Sequence, residues 1–131
     1  MADQPLLYFA CIELIISLAL AWLGVAVMYL RVPPLARVFK RPPYVIKAHI
    51  DYLLMALLLM AFHAAAPPLP GWIIVCAIAG SLTNPLLFLA LAMMEKPDYS
   101  ALRPFGMLST VSFVLTTLGF GGAAVAVLAG M

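Results

Sequence analysis

The stretch "KAHIDYLLMALLLMAFH" (Lys47–His63) decides the fold. From Tyr52 to Phe62 it carries no charge, and it spans ~25 Å as a helix at 1.5 Å per residue. Extended to Val45–Ala65, it is long enough to cross the ~30 Å hydrocarbon layer of a bilayer. Yet it holds Lys47, His49 and Asp51 at one end and His63 at the other, which are both of the chain's histidines. A charged side chain near the bilayer centre costs at least ~2.5 kcal/mol, so ionisable groups in such a helix point to a role.

Composition agrees with a membrane reading. The 131 residues are 66% hydrophobic and 9% charged, against about 25% charged in a typical soluble domain. Such a chain cannot cover a water-soluble globule with polar surface. A single all-α transmembrane domain over residues 1–131 is expected.

Working outward, three further apolar segments match the first: Leu6–Leu30, Gly71–Met94 and Phe105–Ala129. Helices satisfy their own backbone hydrogen bonds and so suit the bilayer. Prolines punctuate the connections at Pro33-Pro34, Pro42-Pro43, Pro67-Pro68, Pro70, Pro97 and Pro104, where helices end or begin. The expected architecture is a four-transmembrane-helix bundle.

The seven basic residues fall in two connections or at their edges: Arg31, Arg37, Lys40, Arg41 and Lys47 in one, Lys96 and Arg103 in the other. Both connections must share a side. The positive-inside rule makes that side cytoplasmic and both termini extracytoplasmic. A bacterial cytoplasmic membrane is the expected location, with no nucleic-acid partner. The opening "MADQP" has no basic region, and the apolar run after it exceeds that of a signal peptide. Cys11 and Cys76 are expected as small buried apolar residues rather than a disulfide.

Few strongly polar groups enter the spans. Glu13 and His63 fall in the same leaflet of antiparallel helices, and a buried carboxylate needs a partner or a proton. They are expected to approach one another. Asp51 points away from His49 on its helix and is expected to meet a basic loop residue or another subunit. Asn84, followed by Pro85, lies near the midplane, where the pair frees backbone carbonyls. Asn84 either lines a cavity or bonds across helices. The last helix carries Gly119 and Gly122 among small residues, a packing face within the bundle or between protomers.

Imidazole in an apolar bundle is a natural haem ligand. His49 lies under the rim that holds Arg37, Lys40, Arg41 and Lys47, where propionates could emerge. His49 and His63 are also 14 residues apart, ~21 Å along one helix face. That spacing is similar to the histidine pairs of dihaem cytochromes b, which require a second such pair. A membrane cytochrome b for electron transfer or haem-based sensing, and a non-haem bundle acting as a transporter or assembly subunit, are the competing readings.

Residue order carries a broader likeness. "KAH" opens the second span, "GSLTNPLLF" lies in the third, and "RPFGMLSTVSFVL" opens the fourth. From Val45 to Leu128 this pattern resembles the styrene oxide isomerase family of small four-helix membrane proteins. The resemblance implies haem b bound between protomers of a homotrimer, with His49 as the iron ligand. It implies a ferric Lewis acid that isomerises an epoxide to a carbonyl compound, with a small apolar uncharged ligand as substrate. Asn84 matches an asparagine of the family, and Phe105-Gly106 fits its Pro-Phe-Gly segment. Two positions depart: Met55 stands where the family has asparagine, and Phe88 where it has tyrosine. Both changes remove a hydrogen-bonding group from the pocket. On this reading Lys47, Arg41, Tyr52, Met55 and Phe88 border the haem, and Asn84 and Tyr52 are the candidate catalytic side chains.

Overall fold

The computed structural model describes residues 4–94 and 102–130. It contains helices α1 (Gln4–Met28), α2 (Pro33–Val38), α3 (Pro43–Ala65), α4 (Gly71–Met93) and α5 (Leu102–Gly130). The expected spans are all present. α2 is an addition: six residues in the basic connection, opened by Pro33 and Pro34. Proline's fixed φ suits a first helical turn, so this proline pair starts a helix where the sequence reading saw only a break.

α1, α3, α4 and α5 are long and apolar enough to cross a membrane. Their outward faces are apolar as well: Ile15, Trp22, Leu54, Val75, Leu108 and Val125 are all more than half exposed. In water such a surface would drive aggregation, whereas hydrocarbon solvates it.

The helices pack in series, α1 on α3, α3 on α4 and α4 on α5, with a lesser contact of α1 across to α4. Two core clusters result. Leu6, Ala10, Leu59, Ile73, Ile74, Ala77 and Ala123 gather toward the termini. Leu20, Ala48 and Tyr52 gather toward the basic connection, with Phe88 and Leu89 against them.

Close approach comes from small residues. A Cβ on Gly119 would collide with the Ala77 backbone, and one on Gly80 would come within 2.7 Å of the Thr116 backbone. The small face of α5 is thus spent inside the bundle, on α4. Thr83 Oγ1 and Ser112 Oγ, 2.8 Å apart, add a hydrogen bond to the same seam.

The basic connection is tied down by its backbone. Val32 N–H donates to Ala26 O across a wide turn after α1, in which Arg31 takes φ 49°. Arg41 N–H donates to Ala92 O near the end of α4, satisfying a carbonyl that the helix leaves open. Lys96 lies outside the described residues.

Candidate functional site

His49 sits half-buried on the seam between α3 and α1. Its Nδ1 lies 2.7 Å from the Ser17 backbone oxygen and 2.9 Å from Ser17 Oγ. A carbonyl oxygen only accepts, so Nδ1 must carry the proton. Ser17 Oγ in turn donates to the His49 backbone oxygen at 2.9 Å. In the neutral tautomer that this bond selects, the lone pair is on Nε2. That is the arrangement a metal-ligating histidine takes, with one nitrogen held by a carbonyl and the other left for the metal. Ser17 is buried and lies one turn from Glu13 on the same face of α1.

The other residues expected around the haem lie elsewhere on the bundle. Tyr52 is 2% exposed, and its phenol donates to Leu82 O of α4 at 2.9 Å. Its hydroxyl serves the α3–α4 contact, next to the carbonyl of Ser81, whose usual helical donor is missing at Pro85. Tyr52 and His49 thus diverge, one toward α4 and the other toward α1. Met55 is buried in the interior.

Arg41 and Lys47 converge on Tyr44. The guanidinium carbon lies 4.5 Å and Lys47 Nζ 4.6 Å from its ring centre, each a cation–π contact. Arg41 also donates to the Tyr44 hydroxyl at 3.1 Å. The Tyr44 ring stacks on Phe88 of α4, with centroids 6.4 Å apart. Below this cluster Lys47, Ile50, Asp51, Leu54 and Phe88 line a groove of about 220 Å³. Asp51 Oδ2 is buried there without a hydrogen-bond partner, so the expected bond from a basic loop residue does not reach that oxygen.

Asn84 lies on the far side of α4. With Phe88, Phe105, Ser109 and Phe113 it lines a cleft of about 160 Å³ between α4 and α5. Phe88 borders both hollows, so the basic cluster and the Asn84 cleft are neighbours, while His49 stands apart on the α1 side.

Glu13 departs from its expected partner. It is fully buried, with Oε1 2.5 Å from Ser81 Oγ of α4. Ser17 against His49 and Gly24 against Ile46 set an antiparallel register between α1 and α3. In that register His63 lies two to three turns from Glu13, ~10–15 Å along the axis. The Glu13–His63 pair therefore does not form. The cysteines are free, and Cys11 is exposed on the outside of α1 rather than buried.

Among the described residues no group of three or more His, Cys, Asp or Glu side chains converges on a metal-sized point. A single histidine suits iron that arrives in a porphyrin, which brings four nitrogens of its own. Sequence reasoning missed Ser17, and it read Ser81 as a possible pocket hydrogen-bonding group rather than as the partner of Glu13. A serine in an apolar helix carries no strong signal, although Glu13 and Ser17 four residues apart do mark one polar stripe on α1. No protein-family model, curated protein or solved structure matches this chain.

Proposed function

We propose that this chain is an integral membrane haem b protein in which His49 Nε2 is the axial ligand to iron. The observation that supports this is the bond from His49 Nδ1 to the Ser17 carbonyl, which fixes the ring and leaves Nε2 as the lone-pair nitrogen. Both termini are extracytoplasmic, and the basic connections face the cytoplasm of a bacterial cell.

His49 lies at a seam, beside Ile50, whose side chain is about half exposed. A haem on His49 would be covered on its open side by a second copy of the chain. The resemblance in residue order makes the assembly a homotrimer. Bound there, ferric haem supplies a Lewis acid able to polarise an epoxide oxygen on the way to a carbonyl product.

The chain's own contribution is an apolar, water-poor setting. Asn84 offers an amide in a phenylalanine-lined cleft that suits a small uncharged molecule. The Tyr52 hydroxyl is committed to Leu82 O, so its part is to hold α3 on α4. Arg41 and Lys47 provide fixed positive charge at the cytoplasmic rim for carboxylates.

The test is an optical spectrum of the detergent-purified protein, oxidised and reduced, after expression with added haem. A Soret band is expected in native protein and in His63→Ala, and is expected to vanish in His49→Ala. Native protein without a Soret band would overturn the proposal and favour a non-haem bundle.

A further inference from the structure

Glu13 is the only charged residue of α1. It has no exposed surface, and it lies within about one turn of the middle of its helix. Its environment decides its chemical form. α4 has no charged residue between Gly71 and Met93. α3 brings Tyr52 and Asp51 to this part of the bundle, and neither supplies positive charge. Tyr52 spends its proton on Leu82 O. Lys47 is held over the Tyr44 ring at the basic end. Histidine is no nearer a counter-ion, since His49 Nδ1 is turned to Ser17 and His63 lies turns away. A carboxylate here would be an uncompensated charge in hydrocarbon.

The hydrogen bonds lead the same way. Ser81 Oγ, which also lies 2.9 Å from Ile78 O, donates its one hydrogen to Glu13 Oε1 at 2.5 Å, and Oε2 has no partner. One bond from a neutral hydroxyl does not offset a buried charge, whereas a neutral acid asks only that its oxygens leave water. Removing an uncharged acceptor from water costs far less than removing a charge.

We infer that Glu13 is a buried proton-binding site: it stands in the core as a neutral carboxylic acid and joins α1 to α4 through Ser81 while it holds that proton. The α1–α4 contact is slighter than the contacts of α1 with α3, α3 with α4 and α4 with α5, and this bond lies across it. Loss of the proton would leave a bare carboxylate between helices that offer no cation, and α1 would move from α4.

The test is infrared spectroscopy of the reconstituted protein at neutral pH, with and without carboxyl-13C glutamate. The chain has two glutamates, Glu13 and Glu95. A neutral-acid carbonyl band that shifts with the label is expected, kept in Glu95→Gln and lost in Glu13→Gln. If Glu13→Gln fails to fold, Glu95→Gln decides alone, because every labelled signal then belongs to Glu13. Only carboxylate bands from labelled Glu95→Gln protein would overturn the inference. The result does not depend on haem, so it stands or falls separately from the function proposed above.

Discussion

His49 Nδ1 and the Ser17 backbone oxygen are 2.7 Å apart across the α1–α3 seam. The ring is therefore positioned by backbone, which substitution cannot remove, and trimmed by the Ser17 side chain, which it can. Ser17→Ala deletes the Oγ contacts to Nδ1 and to His49 O while keeping the carbonyl. Such a hydrogen bond is worth about 1 kcal/mol, roughly a 5-fold change in an equilibrium constant. Haem titration of Ser17→Ala is expected to show weakened binding of that order, not the complete loss expected for His49→Ala. Loss as severe as in His49→Ala would mean that the side chain, rather than the carbonyl, sets the ring.

The α4–α5 seam makes a sharper prediction. Gly119 faces the Ala77 backbone with no room for a Cβ, whereas Gly121 has nothing within 4 Å of where its Cβ would sit. Gly119→Val is expected to destabilise the bundle by about 1–3 kcal/mol or more through overpacking. Gly121→Ala is expected to be neutral or slightly stabilising, since alanine favours a helix by about 1 kcal/mol over glycine. Thermal unfolding in detergent distinguishes the two variants. Equal stability of both would place the close crossing elsewhere.

The four spans were legible because their signals are local. Apolar length and proline position act on each segment alone, and Val45–Ala65 and Gly71–Met94 differ from the observed helices by two residues or fewer at each end. What was not legible depended on packing order. Placing Glu13 against Ser81 requires knowing that α1 crosses to α4, and nothing in either helix states this. His49 and Tyr52 are three residues apart, which puts them on neighbouring parts of one face. Yet α1 and α4 flank α3, and each takes one of the two side chains. The small residues of α5 were legible as a packing face but not as the α4 partner.

Tyr52 offers a check on that division. Its phenol is bonded to Leu82 O in the interior and stands away from His49. Tyr52→Phe removes one hydrogen bond across the α3–α4 contact, a cost of about 1 kcal/mol. Lower thermal stability with an unchanged haem spectrum is expected. A shifted Soret band with unchanged stability would return Tyr52 to the haem's border.

Orientation follows from the basic residues. α1 and α5 end beside the α3–α4 connection: Leu6 packs with Leu69, and a Cβ on Gly130 would lie 3.9 Å from Pro67. Gln4, Gly130 and that connection therefore share one end, opposite Arg37, Lys40 and Arg41. A reporter fused after Met131 is expected to be active only outside the cytoplasm, and activity inside would reverse the topology.

The last prediction concerns how one haem could meet both His49 and the basic cluster. Lys47 and His49 are two positions apart, about 200° around a helix. The structure bears this out in its contacts. His49 turns to Ser17 of α1, while Lys47 and Arg41 lie over Tyr44, which stacks on Phe88 of α4. A haem bound to His49 of one protomer would then direct its propionates to Arg41 and Lys47 of the next. Each site would need two different copies of the chain. Two variants therefore should complement: His49→Ala lacks the ligand but keeps the cations, and Arg41→Gln/Lys47→Gln keeps the ligand but lacks the cations. Each alone is expected to retain little haem. Co-expressed and purified as mixed assemblies through two different tags, they are expected to recover haem at interfaces where an intact histidine meets intact cations. Mixed assemblies with no more haem than the mean of the two variants would show that the ligand and the propionate contacts come from a single protomer.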